Sequence, residues 1–162
     1  MIRDARFSDI KSIIALLQSA YLRSHYAADP RVSIDVAETK RLLFTSIQRH
    51  GGTNGGACWV TVAESDGEIR GLMLATLARV YVIGNALMAT DVLFVASPDV
   101  DPADPLRLAK GMVEWARANP KVVEVRCGTT GVIHDDPMKA GRIWERLGMT
   151  HYGEIWRLPC QE

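Results

Sequence analysis

The chain has 162 residues, with 19 basic and 19 acidic side chains and therefore no net charge at neutral pH. This length suits one domain with one sizeable core, because domains cluster near about 100–150 residues. The balanced charge argues against a dedicated nucleic-acid-binding protein, whose affinity depends on clustered Lys and Arg. We therefore expect a single domain over 1–162 that binds no nucleic acid.

Cysteine usage and hydropathy predict a cytoplasmic protein. The three cysteines, Cys58, Cys127 and Cys160, form no Cys-x-x-Cys pair, which favours reduced thiols packed as small apolar residues. The first residues are charged where a signal peptide needs an apolar stretch. The longest apolar run, 71–78, is far shorter than the roughly 18 residues of a membrane span, so no membrane association is expected.

The N-terminal third predicts an edge strand, Met1–Ala5, followed by two helices. Ser8 is the candidate N-cap of the first helix. Its apolar side chains recur at helical spacing; they are Ile10, Ile13, Ile14, Leu17 and Tyr21. Asp35 begins a capping-box-like start of the second helix, which extends to about Arg49. The segment 25–33 between them is predicted as a loop.

The run Gly51–Gly56 is predicted to be the most flexible part of the chain. A phosphate-binding loop is one interpretation, but such loops lead into a helix with a Lys and a Ser or Thr. Here the run leads into Cys58–Ala63, whose residues are typical of a strand. A mobile loop is therefore the favoured interpretation.

Three successive antiparallel strands are predicted after the glycine run. The first ends at a hairpin turn with Asp66-Gly67 at its centre, a dipeptide typical of two-residue hairpin loops. The second strand covers Ile69–Val82. A turn at Gly84-Asn85 then leads into the third strand, Ala86–Ala96.

The third helix is predicted to begin with Asp104 as its N-cap and Pro105 at its first helical position. Its apolar face consists of Leu108, Ala109, Met112, Val113 and Ala116. It ends at Asn119-Pro120, and a short apolar strand, Val122–Cys127, follows. This strand and the one before the helix should therefore be parallel, with a right-handed crossover.

The last helix is predicted to begin at Asp136-Pro137 and to end at Gly148 as its C-terminal cap. Its apolar face carries Ala140, Ile143, Trp144 and Leu147. Two short segments, Met149–Tyr152 and Glu154–Leu158, then predict a closing hairpin around Gly153.

The segment Ala140–Met149 carries the most specific motif of the chain. It resembles the A-x-x-[IL]-Y-E-[KR]-L-G-F segment of the GCN5-related N-acetyltransferases, and the predicted element order follows that family over nearly the whole chain. A second match is the strand 91–96 with its Pro-containing loop and a helix that ends Glu114-Trp115-Ala116. The resemblance implies an α+β fold in α/β/α layers. The central sheet would be mixed and mostly antiparallel, with one parallel βαβ pair and about four helices.

The resemblance also implies acetyl transfer from acetyl-CoA to a primary amine of a small molecule or protein. Such chemistry needs a backbone N–H for the oxyanion, a base for the amine, and N–H groups for the pyrophosphate. The alternative is a catalytically inactive protein of the same fold that binds a ligand or a protein partner.

The chain departs from the family's pattern in the loop before the third helix. The Q/R-x-x-G-x-G/A motif falls on Val100, Ala103 and Pro105, so both glycines are replaced. Pro102 and Pro105 supply no backbone N–H. Asp104 as N-cap would satisfy the remaining donors itself and repel a phosphate.

The candidate site residues follow from this alignment. Asp91 is the candidate base, and a strand-end or exposed residue without a catalytic role is the alternative for it. Trp144 stands at the position of the family's usual Tyr acid, and Trp has no ionisable proton. Seven residues are candidates for cofactor binding: Phe94, Val95, Ala96, Ala103, Leu106, Arg107 and Trp144.

His134 is the second catalytic candidate, because a His beside Asp135 and Asp136 can act as a base. Its alternative is an exposed loop residue. No second His or Cys stands at ligand spacing, so no metal site is predicted. An edge strand at Met1–Ala5 or in the closing hairpin would allow a homodimer.

Overall fold

A five-stranded sheet runs through the molecule in the order β1-β2-β3-β4-β5. The structure is a computed structural model and describes residues 1–130, 132–133 and 138–158. The strands are β1 (Ile2–Asp4), β2 (Cys58–Ser65), β3 (Glu68–Arg79), β4 (Leu87–Ala96) and β5 (Val122–Arg126). Neighbouring strands are antiparallel except for β4 and β5, which are parallel. The predicted meander and the predicted parallel pair are therefore confirmed.

Four helices pack on the two faces of this sheet. They are α1 (Ile10–Leu22), α2 (Val36–Gln48), α3 (Asp104–Ala118) and α4 (Met138–Arg146). Short 3-10 turns cover Phe7–Asp9 and His25–Ala28, the second inside the segment predicted as a loop. No helix in the described ranges is long and apolar enough to cross a bilayer.

Side chains alternate between two apolar clusters along β3. Leu72 and Leu74 pack with buried residues of α1 and α2, whereas Met73 and Leu77 pack with α3 and with Trp144 of α4. Since successive strand residues point to opposite faces, this alternation makes three layers, helices–sheet–helices. The predicted α+β fold with a mixed, mostly antiparallel sheet is confirmed.

The apolar spacing of α3 predicted its buried face correctly. All five predicted side chains are at most 4% exposed; they are Leu108, Ala109, Met112, Val113 and Ala116. Burial of a large apolar side chain such as Leu or Met contributes about 1.5–3 kcal/mol. This face therefore fixes α3 on the sheet and, with it, the position of the helix start.

The two strongest turn and cap signals of the sequence are also confirmed. Asp66 and Gly67 have φ angles of 53° and 77°, the left-handed values that a type I′ hairpin loop requires. Asp35 caps α2, because its Oδ1 accepts a hydrogen bond from the Glu38 backbone N–H at 3.0 Å.

The prediction of Ser8 as the N-cap of α1 is wrong. A 3-10 turn precedes the helix, and Asp9 rather than Ser8 accepts a backbone N–H, that of Arg6, at 2.7 Å. The Asp9 carboxylate also accepts two hydrogen bonds from Arg3 of β1, at 2.6 and 3.0 Å. Arg3 bonds Glu64 of β2 as well, so this ion cluster joins β1, β2 and the start of α1.

The predicted closing hairpin is not formed. Residues 149–158 contain no strand, and Tyr152, Ile155 and Trp156 are 73%, 75% and 86% exposed. Their apolar alternation fits a strand, but a strand forms only where its backbone pairs with a neighbour. In the described ranges the sheet ends at β5.

We expect Asp9→Asn to lower the free energy of unfolding by about 1–3 kcal/mol, because it removes a charged acceptor from the partly buried Arg3 guanidinium. Arg3 holds the pKa of Asp9 below its ordinary value. The Asp9 carboxylate therefore stabilises the fold at pH values above about 4 and loses this effect as the pH falls through the lowered pKa.

Chemical denaturation of both proteins between pH 7 and pH 3 measures this difference, which should shrink toward acid. The matched control is Glu38→Gln, whose ion pair with Arg41 is exposed and should contribute nothing measurable. A pH-independent difference for Asp9→Asn would contradict the assigned ion cluster.

Candidate functional site

A cleft forms where β4 and β5 separate. The parallel pairing runs only from Leu87↔Val122 to Thr90↔Arg126, while β4 continues to Ala96. On the opposite edge of β4, Leu93 pairs with Leu74 and Asp91 with Ala75, which leaves one extra residue between them. Such a bulge bends its strand and re-aims the side chains next to it. The last residues of β4 therefore have no β5 partner among the described residues, and the region between 91–96 and 127–130 is here called the β4–β5 cleft.

Asp91 lies at the point where the two strands separate. It is a mid-strand, half-buried residue, so the alternative of an exposed strand-end residue is wrong. Its Oδ1 accepts a hydrogen bond from the backbone N–H of Gly128, 3.1 Å away. Burial raises the pKa of the Asp91 carboxyl, and the Gly128 hydrogen bond opposes this effect. A carboxylate with a raised pKa is the kind of group that accepts a proton in catalysis.

Cys127, the residue after β5, lies beside Asp91 and was missed as a site residue in the sequence. Burial, and after it the negative charge of Asp91, raises the pKa of the Cys127 thiol to about 12. The thiol therefore stays protonated at neutral pH and is a poor nucleophile. The register of the parallel strands identifies Cys127 as a neighbour of Asp91. The last pair is Thr90↔Arg126, so the next position places Asp91 opposite Cys127.

The candidate residues Phe94, Val95 and Ala96 form the end of β4 and pair on one side with β3. In the described part of the chain, their other edge has no strand partner. Arg23, at the end of α1, donates from Nη2 to the Ala96 carbonyl at 3.3 Å. The remaining edge presents backbone N–H and C=O groups of the kind that bind an extended amide-containing chain.

Trp144 of α4 closes the cleft on the side of α3. Its side chain is 5% exposed, and its ring packs on Phe94 with 5.4 Å between ring centroids. Its indole Nε1 is buried and has no hydrogen-bond partner among the described residues. A buried N–H without a partner costs about 1–3 kcal/mol, which an acceptor on a bound ligand would recover.

The start of α3 differs from its prediction. Asp104 is the first helical residue and Ala103 the N-cap, so Asp104 as N-cap is wrong. The preceding turn is already helical at Ala103 (φ −85°, ψ −20°), which places Asp104 inside the helix. Its carboxylate is buried and accepts a hydrogen bond from Arg107 at 2.9 Å instead of capping a backbone N–H.

Asp101 binds the turn that precedes α3, whose N-cap residue, Ala103, makes no side-chain cap hydrogen bond. The Oδ1 of Asp101 accepts the Ala103 N–H at 2.8 Å, and the Asp101 carbonyl oxygen accepts the Asp104 N–H at 2.9 Å. Leu106 and Arg107 follow in the first turn of the helix. The carboxylate of Asp101 thus occupies a place where the pyrophosphate of a nucleotide cofactor would find its donors.

The site therefore fits one half of acetyl-CoA and not the other. The unpaired edge of β4 and the Trp144 N–H suit an acyl-pantetheine arm, which is extended and carries amides. The start of α3 presents Asp101 and Asp104, and its cation, Arg107, is already paired with Asp104. It does not fit a diphosphate.

The second catalytic candidate, His134, lies outside the described residues. The 3-10 turn after α1 contacts the chain that follows β5, because the backbone N–H of His25 donates to the carbonyl of Val132. In the ranges that the structure describes, no group of three His, Cys, Asp or Glu side chains comes together to hold a metal ion.

Solved structures show which fold this is. Ribosomal-protein-alanine N-acetyltransferase from Brucella melitensis matches with a TM-score of 0.70 and 19% identity, over 94% of this chain and 86% of that chain. Glucosamine-6-phosphate N-acetyltransferase from Arabidopsis thaliana gives 0.68 and 12%, over 99% and 98%. A transcriptional regulator from Bacillus halodurans gives 0.67 and 17%, over 99% of both chains.

No protein-family model and no curated protein matches the sequence. The architecture is that of an acetyltransferase-like α+β domain. Its fold is the fold of the GCN5-related N-acetyltransferases, as the Ala140–Met149 motif predicted.

We expect Asp91→Asn to accelerate alkylation of Cys127, because removal of the neighbouring negative charge lowers the thiol pKa. Below that pKa, each unit of lowering raises the thiolate fraction about tenfold. Iodoacetamide labelling at pH 8.5, followed by mass spectrometry of the peptide containing Cys127, measures the rate. Glu38→Gln removes a distant carboxylate and serves as the control. Equal rates in all three proteins would show that Asp91 and Cys127 are not neighbours.

Proposed function

We propose that this protein transfers an acetyl group from acetyl-CoA to a primary amine. The observation that carries the proposal is the β4–β5 cleft with Asp91 at its base. There, a half-buried carboxylate of raised pKa lies next to a strand edge that has no strand partner among the residues that the structure describes. Neighbours of the same fold that are described as N-acetyltransferases support the assignment.

Acetyl-CoA, when bound, would supply the acetyl group as a thioester. The unpaired edge of β4 would hold the acyl-pantetheine arm through its backbone groups, and the Trp144 N–H would donate a hydrogen bond to it. The amine must be neutral to attack, and Asp91 would accept its proton at Oδ2, since Oδ1 already accepts the Gly128 N–H. Trp144 has no ionisable proton, so it would donate a hydrogen bond to the departing thiolate of CoA without protonating it.

The second candidate function is a binding module of the same fold without chemistry. The observation that favours it is the start of α3, where the Asp101 carboxylate accepts the Ala103 N–H and Asp104 adds a second carboxylate. Loss of the diphosphate contacts would make acetyl-CoA too weak a ligand to serve as a donor. The two candidates therefore predict different affinities for acetyl-CoA.

We expect wild-type protein to bind acetyl-CoA weakly and Asp101→Ala to bind it about tenfold more tightly, a gain of ~1.4 kcal/mol. The substitution frees the Ala103 N–H and removes a like charge. Asp101→Asn is the matched variant, because its amide oxygen still accepts that N–H while its charge is gone, and it should be intermediate. Isothermal titration calorimetry measures the three affinities, with thermal unfolding as the check on folding. If none of the proteins binds at millimolar acetyl-CoA, the binding-module alternative stands.

We expect Asp91→Asn to reduce acetyl transfer by about 10²–10⁴-fold without changing the affinity for acetyl-CoA. The wild-type rate should rise with pH through the raised pKa of Asp91, because only the ionised carboxylate accepts a proton. Mass spectrometry of a panel of primary amines incubated with acetyl-CoA measures the product. An Asp91→Asn protein as active as wild type would remove Asp91 from the mechanism.

A further inference from the structure

A cavity lies at the start of β4, whereas the β4–β5 cleft lies toward the end of that strand. It has a volume of about 730 Å³, and we call it the basic cavity. Its lining residues are Asn54, Gly55, Gly56, Ala78, Arg79, Tyr81, Val82, Asn85, Leu87, Met88, Lys121 and Arg126. The lining reaches from Leu87 to Arg126, which pairs with Thr90. The edge proposed to hold the acetyl-CoA arm begins at Phe94, roughly 13 Å further along β4 at about 3.3 Å per residue. The cavity does not include that edge.

The lining is strongly positive in a protein of zero net charge. It contains three cations, Arg79, Lys121 and Arg126, and no Asp or Glu. Arg126 is paired with Glu124, but in the part of the chain that the structure describes neither Arg79 nor Lys121 has a carboxylate partner. Several cations that converge on one concave surface create a potential that attracts anions.

The glycine run of the sequence forms one wall of this cavity. Its backbone is held in place, because Gly51 N–H donates to the Cys58 carbonyl at 2.8 Å and Gly56 N–H to the Leu77 carbonyl at 2.9 Å. Buried Asn119 connects this loop to Lys121: its Nδ2 donates to the Thr53 carbonyl at 2.7 Å, and its Oδ1 accepts the Lys121 N–H at 3.0 Å. The loop and the lysine are thus fixed relative to each other.

The opposite wall of the cavity contains two residues with strained backbone, and one of them is aromatic. Tyr81 and Val82 adopt left-handed φ angles of 48° and 68°, which a β-branched residue rarely adopts. Such strain persists only where the surrounding structure holds it, and it clusters at ligand sites. Arg126 lies between the rings of Tyr81 and Tyr152, at 5.4 and 5.3 Å, and its Nε is buried without a partner among the described residues.

We propose that the basic cavity binds a small phosphorylated compound that carries a flat, apolar portion. The phosphate would be held by Arg79 and Lys121 beside the glycine loop, where absent side chains let a ligand approach the backbone. The flat portion would pack on Tyr81, Val82 and the start of β4. The volume of the basic cavity is typical of a small-molecule site. This site does not depend on acetyl transfer.

The test uses AMP as the probe, with adenosine as its uncharged counterpart, in amide NMR titrations of the full chain. We expect AMP at millimolar concentration to shift the amide signals of Gly55, Gly56 and Lys121, and adenosine to leave them unchanged. The amide of Ala103 at the start of α3 should not move. No shift with AMP, equal shifts with adenosine, or shifts only at α3 would overturn the proposal.

Matched variants separate charge from shape. A Cβ at Gly55 makes only ordinary contact, 3.7 Å from Leu87 Cδ2, so Gly55→Asp and Gly55→Asn should both fold. We expect Gly55→Asp to weaken AMP binding at least tenfold and Gly55→Asn to weaken it less than threefold. Equal weakening by the two variants would show that the carboxylate does not oppose a bound anion, and would overturn the proposal.

A second pair of variants tests the cations directly. Lys121→Gln should weaken AMP binding at least fivefold, whereas Lys110→Gln, on the exposed face of α3, should have no effect. Equal affinities for both variants would contradict the role of Lys121. Acetyl-CoA carries a phosphorylated adenosine and would itself compete for the basic cavity, so the control ligand is S-acetyl-pantetheine, whose amide shifts at the end of β4 should be unchanged in every variant. Failure of this site is therefore distinguishable from failure of the acetyltransferase assignment.

Discussion

The short parallel contact between β4 and β5 is the constraint on which the site depends. Four residue pairs, from Leu87↔Val122 to Thr90↔Arg126, hold the two strands together. Directly beyond them, the bulge on β4 turns its remaining residues away from β5. If the pairing extended further, the backbone groups of Phe94 to Ala96 would be used in the sheet. The cleft exists because the ladder stops at Thr90.

The same constraint explains the electrostatics of Asp91. As the first β4 residue beyond the ladder, it is close enough to the chain after β5 to accept the Gly128 N–H, and it is still half-buried by the sheet. Burial raises the pKa of its carboxyl. The pKa of the neighbouring Cys127 thiol is raised by the burial of that thiol and, after it, by the negative charge of Asp91. Asp91 needs no special motif for this. Its position relative to the end of the ladder is sufficient.

Sequence patterns predicted the elements that depend on local chemistry. The spacing of Leu108 to Ala116 identified the buried face of α3, and Asp66-Gly67 identified its hairpin, because period and turn type are determined by neighbouring residues. The closing hairpin failed, because the apolar alternation of 154–158 does not by itself supply a partner strand. His134 and the start of the last predicted helix stay predictions, since they lie outside the described residues.

The helix caps show that the local sequence predicts some helix starts and not others. Asp35 caps α2 as predicted, but Ser8 and Asp104 do not cap α1 and α3, because in both cases a turn before the helix moves its start. Asp9 and Asp101, each close to the predicted cap, accept the backbone N–H instead. Neither of these two bonds is made to an N–H of the helix itself, so α1 and α3 have no side-chain cap, and only the Asp35 cap of α2 follows the local rule.

The distribution of charge does not favour a diphosphate at the start of α3. The start of α3 carries Asp101 and Asp104, with its cation Arg107 already paired. Arg79 and Lys121, which pair with no carboxylate in the described part of the chain, lie instead in the basic cavity at the start of β4. An anionic ligand would therefore be drawn to the basic cavity rather than to the start of α3. The proposed cleft would then take only the neutral, amide-containing arm of acetyl-CoA.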